Sequence, residues 1–270
     1  APVQPLVRNR KQLESLLQQV PTFANPQSRW EQYATPGEVA ASWLYDAKMR
    51  WNCFTAEQSV LDLGCGPGAL MTGCLALGSG YVCGVDIDSD SLDLCRSNLM
   101  ELFSPGNDDD DNDVSANWDL LQADVTRLSA GLVHQRQFDV VVTNPPFGTY
   151  SDAKLSHKSN SNRRNKKAGQ STSSKGIDIA FLEAGIAASC GLVFSLHKTT
   201  TMPFVMHRAR QACARKLMSN DDVASAMVEG RDYSVSQVAN LRYNLNRSYN
   251  HHLKESKDIE VSILEVAFLR

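Results

Sequence analysis

The chain has 270 residues with 27 Lys and Arg against 30 Asp and Glu, a net charge of −3. That length is enough to bury one good core and points to a single α/β domain with additions. The slight acidity excludes a protein that coats nucleic acid with its whole surface, so contact with a polyanion must be a local patch.

Leu13, Leu16, Leu17 and Val20 recur at i, i+3, i+4 and i+7, which predicts a short amphipathic helix ending at Pro21 and lying as a lid on a larger domain. After "EQYATP" a second helical stretch runs from Gly37 to Trp51. Apolar runs separated by helical patterns follow at Ser59–Leu63, Tyr81–Val85, Trp118–Gln122, Phe138–Thr143 and Gly191–Leu196. Strands alternating with helices predict a mostly parallel sheet with right-handed crossovers. Ser234–Leu245 and Asp258–Phe268 have no helix-length insert between them, so they are expected as an antiparallel hairpin. The domain division expected is a helical extension over 1–29 and a main domain over 30–270, with flexible insertions near 104–117 and 151–175. The first is acidic, "SPGNDDDDNDVSAN"; the second is basic and polar, with almost nothing apolar to bury.

Seven cysteines without a C-x-x-C pair suit a reducing compartment and provide no metal site. "NHHLK" at 250–254 reads as solvated histidines in a hairpin loop. No apolar run approaches a membrane span and the first residues lack a secretory h-region, so a cytosolic or nuclear protein is expected.

"SVLDLGCGPGAL" is a strand running into Gly64, Gly66 and Gly68 and then a helix. Glycines there allow a sharp turn and close approach of a ligand. Eighteen residues beyond Gly68, Asp86 ends the next strand, where a carboxylate can accept both hydroxyl hydrogens of a ribose. Asp124, after the third strand, adds an acceptor on the same rim. The spacing alone also fits a dinucleotide fingerprint, which keeps a nicotinamide dehydrogenase open. Asp62, just before the glycines, suits an acceptor for a cationic amine; a carboxylate capping loop amides is the alternative. With Asn144-Pro145-Pro146-Phe147 after the fourth strand, the set favours S-adenosylmethionine, which carries an ammonium and a sulfonium.

The prolines stop the strand in a stiff corner. An adenine amine is a poor nucleophile because its lone pair is delocalised into the ring. Acceptors at the Asn144 side-chain oxygen and the Pro145 carbonyl would draw the nitrogen toward tetrahedral geometry, while Phe147 stacks on the base. His197 and Lys198 follow the fifth strand; His197 reads as a satisfied strand-end histidine, with approach to the nucleotide or a phosphate as the alternative. Trp30 and Tyr33 read as packing.

Asp62 to Leu70, "CGVDID", "TNPPFGT", "KGIDIAFL", "SLHKTTT", "NLRYNL" and "DIEV" together resemble the eukaryotic methyltransferase-like family that makes N6-methyladenosine in small-subunit (18S) ribosomal RNA. The resemblance spans about Trp30 to Phe268. It implies a Rossmann-like class I methyltransferase fold of seven strands, S-adenosylmethionine as donor, a small zinc-binding activator subunit as heterodimer partner, and a place in nucleus and cytoplasm. It implies that Gln32 and Thr35 touch the methionine end of the cofactor, and that Gly64, Pro67 and Ala69 supply the loop. Asp86 would take the ribose, Asp124 with the Val125 amide the adenine, and Asn144 to Phe147 would form the catalytic tetrad. The two insertions and "LMSNDDVASAMVEGRDY" exceed the family's compact pattern. Rival readings are a protein-glutamine methyltransferase, whose amide nitrogen poses the same lone-pair problem, and a non-catalytic RNA-binding scaffold.

Overall fold

The computed structural model describes residues 5–103, 117–128, 138–148, 176–218, 229–246 and 256–269. The acidic stretch apart from Asn117, the basic stretch 151–175 and the "NHHLK" run lie outside the described residues.

Helix α1 (Arg10–Leu17) begins at Asn9, whose side chain accepts from the Gln12 amide at 3.0 Å. That cap satisfies one of the free N–H groups of the first turn. Leu13 and Leu17 are buried, and so is Val20 beyond the helix end. Pro36 leads into α2 (Gly37–Trp51), and β1 (Ser59–Leu63) starts the sheet. The next elements are α3 (Ala69–Ala76), β2 (Tyr81–Asp86), α4 (Ser89–Phe103), β3 (Trp118–Gln122) and β4 (Phe138–Thr143). Then come α5 (Ile177–Ala188), β5 (Ser189–Lys198), α6 (Met202–Met218), β6 (Tyr233–Asn246) and β7 (Ser256–Phe268).

The seven strands lie in the order β3-β2-β1-β4-β5-β7-β6. β1 to β5 are parallel, while β7 runs antiparallel to both β5 and β6. The expected hairpin forms, and its second strand is the one inserted into the sheet. The residue types explain this: Val261, Ile263, Leu264, Val266 and Ala267 of β7 are buried on both faces, whereas β6 carries Ser234, Ser236, Gln237 and Asn240 and takes the outer position. β5 is longer than its apolar run because Ser195, His197 and Ser189 are buried with it.

Each strand sends alternate residues to opposite faces. Val60, Val82, Val140, Val142 and Phe194 pack against α1 to α4, through Leu13, Leu17, Trp43, Leu44, Met71, Cys74, Cys95 and Leu99. Leu61, Leu63, Val85, Val141 and Val193 pack against α5 and α6, through Phe181, Leu182, Ile186, Val205 and Ala209. The amino-terminal helix therefore shares the first core. Each such aliphatic side chain contributes about 1.5–3 kcal/mol on burial. Helix α3 is buried on every side, as a helix wedged between the sheet, α1 and α2 must be.

Strand order reverses between β1 and β4, so their carboxyl ends diverge into a crevice. The register brings Leu63 level with Val85 and with Thr143, and Asp86 level with Gln122. The glycine loop, Asp86, Asp124 and the Asn144 corner thus emerge along one rim.

Candidate active site

A cavity of about 890 Å³ opens on this rim, within the usual size range of small-molecule sites. Its walls come from the 29–35 segment, the glycine loop, Asp86 and Ile87, residues 123–127, Asn144 and Pro146, and the start of α5 at Gly176 and Ile177.

The glycine loop is folded onto its neighbours. The Gly64 and Cys65 amides donate to the Val85 carbonyl oxygen at 2.7 and 3.1 Å, and the Gly68 amide donates to Cys65. Gly68 has φ +90°, and a Cβ there would lie 2.6 Å from Cys95 Sγ on α4, so only glycine fits both the turn and the packing. Asp86 braces the loop: Oδ2 accepts from the Gly66 amide at 2.9 Å and Oδ1 from the Asp88 amide at 3.0 Å. Each oxygen can still take a further donor, as a ribose contact requires. Burial pushes the Asp86 carboxyl upward, and the Asp88 and Gly66 amides pull it back.

Four loop amides are spent inside the loop or on Val85 and Asp86, and Pro67 has none. The Asp86 carboxylate stands on the wall beside apolar Ile87, Val125 and Phe181, a lining that suits an adenosine.

Asp62 stands behind the wall. It is 1% exposed, and neither carboxylate oxygen has a hydrogen-bond partner, so it neither caps the loop amides nor lies on the cavity surface. Burial, then the nearby Asp86 charge, pushes it up to about 8; the Met71 amide pulls the other way without completing a hydrogen bond.

Asp124 caps the short turn Val125–Arg127, its Oδ1 accepting from the Thr126 amide at 2.9 Å and the Thr126 hydroxyl at 2.6 Å. Val125 is buried in the second core with its turn on the wall. Pro67 and Ala69 line the opposite side.

The "EQYATP" segment crosses the mouth as a strap. Gln32 Nε2 donates to Asp88 Oδ2 at 2.7 Å and to Ser91 Oγ at 3.0 Å, and Gln32 Oε1 accepts from the Gln27 amide at 2.8 Å. Its amide thus serves the Asp86 to Asp88 side of the site. Thr35 Oγ1 accepts from Asn144 Nδ2 at 3.0 Å. Tyr33 lines the cavity and burial, with the Glu31 charge, pushes its phenol up to about 12. Trp30 lies under the Arg29 guanidinium at 4.9 Å.

The four residues of the Asn-Pro-Pro-Phe corner separate. Asn144 and Pro146 reach the cavity wall, Pro145 is buried beneath, and Phe147 lies off the wall, packed on the first core with Lys198 Nζ 5.4 Å from its ring centroid. His197 is fully buried, with Nε2 2.8 Å from Ser195 Oγ and Nδ1 3.3 Å from Asp178 Oδ2, a histidine satisfied on both sides.

Asn98 is a residue that sequence reasoning missed. From α4, 2% exposed, it donates to the Pro67 carbonyl at 2.9 Å and the Pro21 carbonyl at 3.1 Å, tying the loop to the segment after α1. The available signal was a carboxamide on the apolar stripe Leu92, Cys95, Leu99. Phe23 and Phe181, which flank Gly66 and Gly64, carried no such mark.

A methyltransferase-domain family model matches residues 60–169. The Pyrococcus horikoshii protein PH1948 superposes with a TM-score of 0.66 at 22% identity, covering 97% of this chain and 98% of that one. The precorrin-6y C5,15-methyltransferase of Geobacter metallireducens does so with 0.51 at 15% identity, covering 92% and 93%. These likenesses establish the class I methyltransferase fold. The zebrafish rRNA N(6)-adenosine-methyltransferase METTL5 is 34% identical over 258 residues, 94% of this chain and 96% of that protein. The Drosophila melanogaster protein of the same name is 32% identical, covering 93% of this chain and 92% of its own length. The cavity, the braced glycine loop and end-to-end similarity of this extent agree: the chain belongs to the METTL5 family of rRNA N(6)-adenosine-methyltransferases.

Proposed function

We propose that this chain methylates the exocyclic N6 of an adenosine in small-subunit (18S) ribosomal RNA. The observation that carries the reading is Asn144, an amide acceptor on the wall of the same cavity as the glycine loop and Asp86. Family membership supports ribosomal RNA as substrate; the small-subunit assignment rests on the sequence resemblance alone.

S-adenosylmethionine, the family's cofactor, supplies a methyl group activated by its sulfonium. The chain's own residues do the rest. Asp86, which holds the Gly66 amide, would accept ribose hydroxyls, and the turn after Asp124 would border the adenine. Asn144 Oδ1, on the wall, would accept one of the two amine hydrogens, concentrating the lone pair on nitrogen; Pro145, buried beneath, is not on the wall to take the other. One amine hydrogen leaves as a proton to solvent once nitrogen is alkylated. This is catalysis by fixed acceptors and positioning.

A small zinc-binding activator is the expected partner. Support comes from β3, an edge strand whose Leu121 is 50% exposed. An apolar sheet edge is an aggregation hazard until a partner covers it. Co-expression should convert a poorly soluble chain into a monodisperse heterodimer; a soluble, fully active lone chain would count against it. The catalytic unit is read as 30–270 with 1–29 extending it, and nucleus and cytoplasm as the compartments, which imaging of a tagged chain tests. Among the described residues no helix is long and apolar enough to cross a membrane.

The decisive measurement is mass spectrometry of 18S nucleosides from cells with the wild-type chain, without it, and with Asn144→Ala. Loss of N6-methyladenosine in the last two supports the reading. Unchanged 18S with a methylated glutamine elsewhere would transfer it to protein.

A further inference from the structure

Thr35 and Asn144 stand 109 residues apart in sequence, and the fold brings Asn144 Nδ2 to 3.0 Å from Thr35 Oγ1. Both line the cavity, and Thr35 is 8% exposed. A carboxamide has two ends of nearly equal size and opposite character: the oxygen accepts, the nitrogen donates. Rotation by half a turn about its last torsion exchanges them at little steric expense. For an amine substrate the exchange matters, because the amide nitrogen would meet the amine donor to donor.

We propose that Thr35 is a positioning residue for methyl transfer, anchoring the Asn144 carboxamide by its nitrogen so that the oxygen is presented to the amine before substrate arrives. The inference rests on the reading of Asn144 as the amine acceptor. A threonine hydroxyl can also donate, so the contact alone would tolerate the flipped amide. With substrate present, only the observed orientation pairs a donor with an acceptor at both ends.

The anchor itself is held firmly. Three residues before it, Gln32 is bound to Asp88 and Ser91. Two residues after it, Gly37 packs so closely on the end of α1 that a Cβ there would lie 2.8 Å from the Gln18 backbone nitrogen. Thr35 thus sits on a strap pinned at both ends. A hydrogen bond to a pinned hydroxyl restricts the amide far more than one to a mobile loop would, which is the condition for preorganised catalysis.

The test compares Thr35→Val, which removes the hydroxyl at nearly constant shape, with Thr35→Ser, which retains it. Steady-state methylation of an 18S RNA fragment should show kcat falling ten- to a hundred-fold in Thr35→Val. The comparison is made at saturating S-adenosylmethionine, where the RNA KM should stay within about two-fold. Thr35→Ser should restore kcat to within about three-fold of wild type. If Thr35→Val does not fold, Thr35→Ala is read in the same way. Wild-type kcat in the hydroxyl-free variant, beside an inactive Asn144→Ala, would overturn the anchoring role alone. An active Asn144→Ala would instead remove the underlying reading.

Discussion

The Thr143 hydroxyl donates to the Leu63 carbonyl oxygen at 2.7 Å, fully buried, and so ties the last residue of β4 to the last residue of β1. Directly after these two residues the chain enters the Asn144 corner and the glycine loop. The bond joins the roots of the two loops. Thr143→Val keeps the shape and removes this buried hydrogen bond, so it should lower stability by about 1 kcal/mol. Urea unfolding measures this. An unchanged midpoint would mean that the site relaxes or admits water.

Asp62 predicts how stability depends on pH. Its folded value, about 8, lies above that of a free carboxyl, so between about pH 4 and 8 the folded state binds the extra proton. This contribution is fully present below the unfolded value and is lost as pH rises through the folded one. Stability of the cofactor-free chain should therefore decline over that window, by at most about 1.4 kcal/mol per pH unit. Asp62→Asn should flatten the decline and stabilise the chain at pH 8. Parallel melting curves for the two proteins from pH 5 to 8.5 would refute the assignment.

Asp86 braces the loop and, on the proposed function, also takes the ribose, so its removal should show both effects. Asp86→Ala frees the Gly66 amide and would delete the proposed ribose acceptor. S-adenosylhomocysteine affinity should fall by about 2–4 kcal/mol, with a modest drop in melting temperature as the loop loses its brace. Calorimetry checks the first and a thermal scan the second. Unchanged affinity would mean that Asp86 serves the loop alone.

The basic stretch after the catalytic corner carries Lys154, Lys158, Arg163, Arg164, Lys166, Lys167 and Lys175 against a single carboxylate, Asp152. In an acidic chain, such charge rooted at the site favours a polyanion by counterion release and steering. Deleting residues 158–173 should raise the KM for long RNA several-fold, flatten its salt dependence and leave kcat nearly unchanged. An intact salt slope would make the stretch a passive linker.

Strand and helix placement in β1 to β5, the hairpin, the glycine loop and the Asn144 corner were legible because each is encoded locally. Periodicity marks the element, and glycine or proline marks where it must turn. Parallel topology then carried Asp86, Asp124 and Asn144 to one rim by the geometry of crossovers alone. Local information could not say which strand of the hairpin enters the sheet; the two-sided apolarity of β7 decides that only once both faces are covered. Nor could it pair Thr35 with Asn144, Gln32 with Asp88, or Asn98 with Pro67. Those bonds join residues 109, 56 and 31 positions apart through side chains whose partners are chosen by where the backbone places them. Phe147 makes the same point from the other side. Its place beside Asn144 in the chain implied a shared wall, but the rigid Pro-Pro corner turns it onto the first core beneath Lys198. Residue types determined what chemistry the rim can offer, and the tertiary structure decided which atoms are left free to perform it.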